Sequence, residues 1–259
     1  NKSALKSSMQ QKTLAEMPTR SGMPSSYDAK MGKATFLWAA QGQSKPDLSL
    51  IAPELRSSYA ASYYLNSLTG FSSEEDALNR AELAYVHDVD RGGIMAKYRQ
   101  EIQGVEVFNR EFNVMMDREL NLVAGSGYFS NPFPANKTLE LFASFGSAEA
   151  AIHAAIADLS GGDTQASLEP AGNNGKYKLF NATTLEGLNV IGQPASKRVI
   201  FDNNGELIAA HYVIVRLADF ESLDSNDYSY VIDGKGKVLF RKNLVSHDSH
   251  ATYRVFADA

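Results

Sequence analysis

Residues 94–129 of the chain read IMAKYRQEIQGVEVFNREFNVMMDRELNLVAGSGYF, and this stretch decides the fold. The apolar and β-branched residues at its start predict a strand that turns at Gln103-Gly104, where glycine permits a tight reversal. Val105 to Met116 alternates apolar and polar residues with a period of two, which is typical of a half-buried strand. Asp117-Arg118-Glu119 turns the chain again, and Leu120 to Phe129 pairs back. The stretch therefore predicts three antiparallel strands.

Helices are predicted on both sides of these strands. Each combines an apolar face with a recognisable start, such as a first-turn proline, a capping-box spacing or a capping serine. Two of them end at glycine, which stops a helix in the left-handed conformation. The predicted helices run from Pro53 to Gly70, from Ser72 to Ala81 and from Ser147 to Gly161.

Two further hairpins are predicted after the third helix. Their strands are Lys197 to Phe201, Leu207 to Leu217, Tyr228 to Ile232 and Lys237 to Phe240. Helices that are separated from antiparallel strands along the chain are typical of the α+β class. We therefore predict an α+β fold of two small units, each with helices packed on an antiparallel sheet, and a break between them at Asn131 to Pro134.

The composition of the chain narrows the classes of function that it is expected to have. The 259 residues carry a net charge of −5 and contain no cysteine, so neither a nucleic-acid-binding protein nor a thiolate metal site is expected. Apolar runs are shorter than the roughly 18 residues that a membrane span needs. The polar start from Asn1 to Gln11 lacks the apolar stretch of a signal peptide, so a signal peptide is either already removed or was never present.

Catalytic motifs are not found in the sequence. The five histidines form no His-Glu-x-x-His pattern, and no nucleophile elbow or phosphate loop is present, so the chain is predicted not to be an enzyme. His247 and His250 are three residues apart but lie in a polar loop. His153 is expected at the rim of the third helix, and His87 is expected to follow the second helix, where its charge suits a helix C-terminus.

The segment Tyr98 to Phe108, with Gly104-Val105-Glu106-Val107 at its centre, resembles the FTP module of fungalysin and thermolysin-like precursors. The later step Leu122-Val123-Ala124-Gly125-Ser126-Gly127 is similar to the end of that module's hairpin. The apolar island Phe36-Leu37-Trp38-Ala39 resembles the start of bacterial fungalysin-type precursors, and it is expected to dock on a core.

The segment from Ser147 to Leu244 resembles a PepSY domain. The resemblance rests on the alanine-rich start of the third helix, on the strand Leu207 to Val213, and on the hairpin Tyr230 to Arg241. An FTP module followed by PepSY is the arrangement of a fungalysin pro-segment, and it implies cystatin-like units. The order of these motifs along the chain carries more weight than any one of them.

The resemblance implies a domain plan and a function. Residues 1–50 form an N-terminal extension, 51–131 an FTP-like module, 135–246 a PepSY-like module, and 247–259 a tail towards the protease junction. Such a pro-segment inhibits a secreted zinc metalloprotease and assists its folding. The implied partner is the cognate catalytic domain, which would hold the zinc, while this chain needs no cofactor. The implied location is secreted or periplasmic.

Candidate contacts with the protease follow from the same resemblance. An exposed sheet would supply most of the interface, and the tail would run towards the active-site cleft. The candidate residues are Arg99, Gln100, Phe108, Tyr253, Arg254, Phe256 and Asp258. The alternative for Arg99 and Gln100 is a local hydrogen-bonding role, and the alternative for Phe108 is the core.

Two other functions remain open from the sequence. One is a stand-alone secreted protease inhibitor that acts on a separate protease. The other is a cell-surface or periplasmic binding module of the PepSY type that has no connection with proteases.

Overall fold

The computed structural model describes residues 22–71, 78–162, 166–183, 188–219 and 225–244. Within these ranges the chain forms thirteen strands and three α-helices. It divides into two compact units. The first comprises the described residues up to Ala135 together with Asp202–Glu206, and the second comprises Asn136–Phe201 and the described residues from Leu207 onward.

The predicted α+β class, with its small cystatin-like units, is wrong. Strands hold 49% of the described residues and helices only 20%, so the described part of the protein is mostly β. The second predicted helix contributes to the error, because its last residues, including Ala81, lie in a strand. Its capping residues Ser72 and Glu75 fall outside the described residues.

Six antiparallel strands form the sheet of the first unit. They are β1 (Gly22–Asp28), β2 (Lys33–Ala39), β3 (Arg80–His87), β4 (Ile94–Ile102), β5 (Val105–Met116) and β6 (Leu122–Gly127). Their order across the sheet is β1-β2-β6-β5-β4-β3. The three-stranded core β4-β5-β6 confirms the prediction made from residues 94–129, and the apolar island joins it as β2.

One helix, α1 (Arg56–Thr69), covers one face of this sheet. A short 3-10 turn at Pro53–Leu55 leads into it, and Gly70 ends it with a positive φ of 75°, which confirms the first predicted helix. Leu65 and Leu68 of α1 are fully buried against the sheet residues Phe112 and Val114. This core fixes which face of each strand points away from the helix.

The second unit contains α2 (Thr138–Ala143) and α3 (Ala148–Ser160). Its strands are β7 (Leu168–Asn174), β8 (Tyr177–Ala182), β9 (Leu188–Val190), β10 (Ala195–Asn203), β11 (Glu206–Asp219), β12 (Ser225–Asp233) and β13 (Val238–Asn243). They pair in the order β7-β8-β10-β11-β12-β13, and β9 pairs with the C-terminal end of β11. The two hairpins predicted from the sequence are therefore confirmed.

The third predicted helix is also confirmed as α3. The side chain of Ser147 accepts a hydrogen bond from the Ala150 amide at 3.0 Å, and Gly161 ends the helix with a φ of 75°. Ile152 and Ile156 pack on Val213 and other core residues of the sheet. None of the helices in the described ranges has the length and apolar character required to cross a membrane.

Candidate functional site

The face of the first sheet that points away from α1 carries three rows of laterally paired side chains. We call it the outer face. Strand register defines the first row, because each member lies opposite the next on the neighbouring strand. From β1 to β3 this apolar row consists of Met23, Trp38, Ala124, Met115, Met95 and His87. The row crosses all six strands.

The exposure of the apolar row varies along its length. Met23 is 54% exposed and Trp38 is 50% exposed, Ala124 beside Trp38 is buried, and Met95 and Met115 are half-buried. The row ends at His87, which is exposed and polar. Phe36 lies beside Trp38 with its ring edge towards it, at 5.0 Å between ring centroids. Beyond Met95 and Met115 the face continues into a cleft of about 620 Å³. Solvated faces of antiparallel sheets normally carry polar residues, so this row is unusual.

The second row is mixed in character. It consists of Ser26, Phe36, Ser126, Asn113, Lys97 and Tyr85. Asn113 donates a hydrogen bond from Nδ2 to Ser126 Oγ at 3.2 Å, which ties β5 to β6 on this face. Tyr85 on the edge strand β3 is 46% exposed. This row separates the apolar row from the charged one.

The third row is charged and includes Arg99. Glu111 lies opposite Arg99, and Glu82 lies opposite Arg99 on the other side. The Glu111 carboxylate pairs with Lys97 Nζ at 2.5 Å and with Arg99 Nε at 3.5 Å. The outer face thus changes from apolar to charged over three successive rows, as interfaces with an apolar core and a polar rim do.

Gln100 does not lie on the outer face. Its side chain is fully buried and forms a two-way clamp on Ser130, since its Oε1 accepts from the Ser130 amide at 2.7 Å and its Nε2 donates to the Ser130 carbonyl at 3.3 Å. Asn79 clamps Phe133 in the same manner, at 2.6 and 3.0 Å. The chain from Ser130 to Phe133 is therefore fixed to the first unit by two carboxamides.

The other candidate contacts are not part of the three rows. Phe108 is half-buried near the start of β5 and makes contacts within the protein. The tail residues Tyr253, Arg254, Phe256 and Asp258 lie outside the described residues. Of the candidate contacts that the structure describes, only Arg99 belongs to one of the three rows.

The residues that dominate the outer face were missed from the sequence. Met95 and Met115 lie in strands that were predicted, but their neighbours Ile94 and Met116 are apolar too, so alternation alone does not assign them a face. The signal is the consecutive apolar run, which indicates a strand with apolar residues on both faces. Phe36-Leu37-Trp38 shows the same signal on β2.

The histidines differ in their surroundings. His87 is at the end of strand β3 and pairs with Met95, so the prediction that it follows a helix is wrong. His153 is half-buried on α3, in agreement with a rim position. His247 and His250 lie outside the described residues, and within the described ranges no three His, Cys, Asp or Glu side chains are grouped to hold a metal ion.

No family model matches the chain, and no curated protein matches it.

Proposed function

We propose that the chain is a non-catalytic pro-segment that binds the catalytic domain of a secreted zinc metalloprotease through the outer face, inhibits it and assists its folding. The observation that carries the proposal is the apolar row, which is exposed at Met23 and Trp38 and continues to the half-buried Met115 and Met95. The partner class comes from the order of motifs along the chain, which resembles that of fungalysin precursors.

The size of the outer face suits a protein partner. Neighbouring strands are ~4.8 Å apart, so a row across six strands spans about 24 Å. That width matches the core of a standard protein–protein interface, which buries roughly 800 Å² on each side. Exposed apolar patches with a polar rim mark interaction sites, and methionine adapts its shape to a partner's surface.

The apolar row and the charged row are expected to contribute differently to binding. Trp38 and the methionines supply desolvated area, and aromatic side chains in such positions often contribute most of the binding energy. The Lys97–Glu111–Arg99 cluster at the other side of the face supplies charge, which sets the orientation and the rate of encounter.

Folding assistance follows from binding alone, and inhibition follows when the bound segment covers the active-site cleft. A segment that binds only the native protease stabilises it by mass action. When the two are joined in one precursor, the effective concentration is on the order of millimolar, so modest affinity is sufficient to occlude the protease. Cleavage of the connection removes that advantage and releases the enzyme.

The test is a titration of the full chain against the cognate mature metalloprotease, with hydrolysis of a generic peptide and refolding yield as the two measurements. We expect Trp38→Ala to weaken inhibition at least 30-fold, corresponding to about 2 kcal/mol. The matched control is Tyr59→Ala, because Tyr59 is similarly exposed but lies on α1, on the opposite side of the sheet. The control should inhibit like the wild type.

The proposal fails if the wild-type chain changes neither activity nor refolding yield. A stand-alone binding module then becomes the better description, because an exposed apolar patch marks an interaction site without specifying a protease. Inhibition that is equally weakened by Trp38→Ala and Tyr59→Ala would place the interface elsewhere on the chain.

A further inference from the structure

The second unit contains a buried histidine whose two ring nitrogens are both hydrogen-bonded. His211 on β11 is 4% exposed. Its Nε2 lies 2.9 Å from the Gly146 carbonyl oxygen, and its Nδ1 lies 3.0 Å from Ser196 Oγ on β10. A carbonyl oxygen only accepts, so Nε2 carries a proton, whereas the serine hydroxyl is able to donate to Nδ1 or to accept from it. The imidazole bridges two uncharged partners, and neither of them supplies a counter-charge for an imidazolium.

The bridge holds the corner between α2 and α3, residues 144–147. This corner lies so close to the β12–β13 turn that a Cβ on Gly146 would be 2.8 Å from the Gly234 carbonyl oxygen. Phe145 meets the His211 ring edge-on at 6.1 Å, and the Arg198 guanidinium lies 4.9 Å above the Phe145 ring. The corner is thus fixed by backbone packing, ring contacts and the histidine bridge.

The surroundings of the ring disfavour an imidazolium. Burial lowers the pKa of His211, and the positive charges of Arg198 and Lys178 lower it further, against the opposing effects of the Gly146 carbonyl and Glu149. The positive end of the α3 dipole starts at the corner itself. A proton on Nδ1 would reverse the hydrogen bond with Ser196, which is 1% exposed, so that this buried hydroxyl would need another acceptor for its own hydrogen.

We propose that the corner is an acid-sensitive latch, which stays closed while His211 is neutral and opens when His211 takes up a proton. In the open corner the imidazole is hydrated and has an ordinary pKa of about 6.5. The closed form, with the lower pKa, loses stability as the pH falls below that value. The opening constant then rises up to tenfold per pH unit until the closed form also becomes protonated.

The latch is tested on the full chain alone, by hydrogen exchange of the backbone amides of residues 144–150 between pH 7.5 and 5.5, corrected for intrinsic exchange. We expect protection to fall up to tenfold per pH unit below about 6.5 in the wild type. His211→Gln should show no such fall, because its carboxamide offers a donor and an acceptor and does not titrate. His153→Gln, on the rim of α3, should keep the wild-type dependence.

Protection that does not change with pH in the wild type would overturn the latch, as would an unchanged slope in His211→Gln. If His211→Gln does not fold, the latch is tested on the wild type instead, by measuring the pKa of the His211 imidazole with NMR. A pKa of His211 at or above about 6.5 contradicts the latch, and a lower value supports it. Neither measurement requires a protease, so the outcome is independent of the proposed function.

Discussion

At the scale of single residues, the least expendable group in the first unit is the carboxylate of Asp202. The side chain is fully buried, and one oxygen accepts from the Arg110 Nε at 3.2 Å and from Ser130 Oγ. The other oxygen accepts from the Gly205 amide at 2.6 Å. Arg110 is itself only 13% exposed, so neither charge has water as a substitute partner.

Asp202→Ala should lower the free energy of unfolding by about 3–5 kcal/mol, because it leaves a buried guanidinium without its counter-charge. Urea denaturation measures the loss. Asp227→Ala is the control, because its partner Arg216 is 54% exposed and such pairs contribute about 0–1 kcal/mol. Similar losses in the two variants would show that the Asp202 site is not desolvated.

Tyr98 gives a second prediction, which concerns pH. Burial raises the pKa of Tyr98 to about 12, against the opposing hydrogen bond with Ser62 at 3.1 Å. The unfolded state ionises first, near pH 10, so the folded state loses stability as the pH rises above that value. At pH 11 the loss from this one group is about 1.4 kcal/mol.

Urea midpoints of the wild type and Tyr98→Phe at pH 9 and pH 11 isolate this contribution. The wild type should lose about 1.4 kcal/mol more than Tyr98→Phe over that interval, because phenylalanine does not titrate. Equal losses would mean that Tyr98 ionises as readily in the folded protein as in the unfolded chain.

At the scale of elements, helix ends and tight turns were predictable, while several strands were not, and β3 is the first of these. Ser147 caps the start of a helix with its side chain, and Gly70 ends a helix in the left-handed conformation. Both effects depend on the residue type and its immediate neighbours, so the sequence is sufficient to predict them. The stretch ALNRAELA at 77–84 favours a helix by propensity, yet its second half pairs with β4 as part of β3. Tertiary pairing overrides propensity here, and no local pattern reports it.

The edge strands were missed for a different reason. β1 contains Pro24 and β7 contains Pro170 and Gly172, residues that argue against a strand in sequence analysis. Proline and glycine are tolerated at sheet edges and bulges, and both strands have register shifts beside these residues. Their place in the sheet depends on pairing with a partner strand, and the local sequence does not predict which strand that is.

A prediction at the scale of elements concerns Gly127, the last residue of β6, and the packing of β6 against β5. Its φ is 97°, and a Cβ there would lie 2.1 Å from the Glu111 carbonyl oxygen of β5. Gly127→Ala should therefore force β5 and β6 apart and cost at least ~2 kcal/mol more than the usual ~1 kcal/mol of a positive-φ glycine. Thermal unfolding measures the cost.

Gly32→Ala is the matched control. Gly32 has a φ of 63° in the β1–β2 turn, and an added Cβ would have no heavy atom within 4 Å. Both variants place alanine at a positive φ, and only Gly127→Ala adds a clash with backbone. If their melting temperatures fall equally, β5 and β6 adjust to the extra methyl without cost.

At the scale of the whole molecule, the outer face depends on pairings between strands that are distant in sequence. Trp38 joins the apolar row because β2 pairs with β6, although some 80 residues separate them. Arg99 was predicted as a protease contact from a motif, and that motif did not indicate the apolar row on the same face. Gln100 was predicted as a contact from the same motif, but it is buried, because its side chain forms hydrogen bonds with the backbone of Ser130. Sequence therefore indicated the strands and left their shared face undetermined.

The arrangement of the rows leads to a kinetic prediction under the proposed function. Trp38→Ala removes desolvated contact area, so it should raise the dissociation rate at least 30-fold and leave the association rate within about threefold. Arg99→Ala removes an exposed charge, so it should lower the association rate and make it less dependent on salt. Surface-based binding measurements with the immobilised protease, at low and at high salt, separate the two constants. Tyr59→Ala should change neither. Two variants that alter the same rate constant to the same extent would contradict an interface with an apolar side and a charged side, because those sides act at different stages of binding.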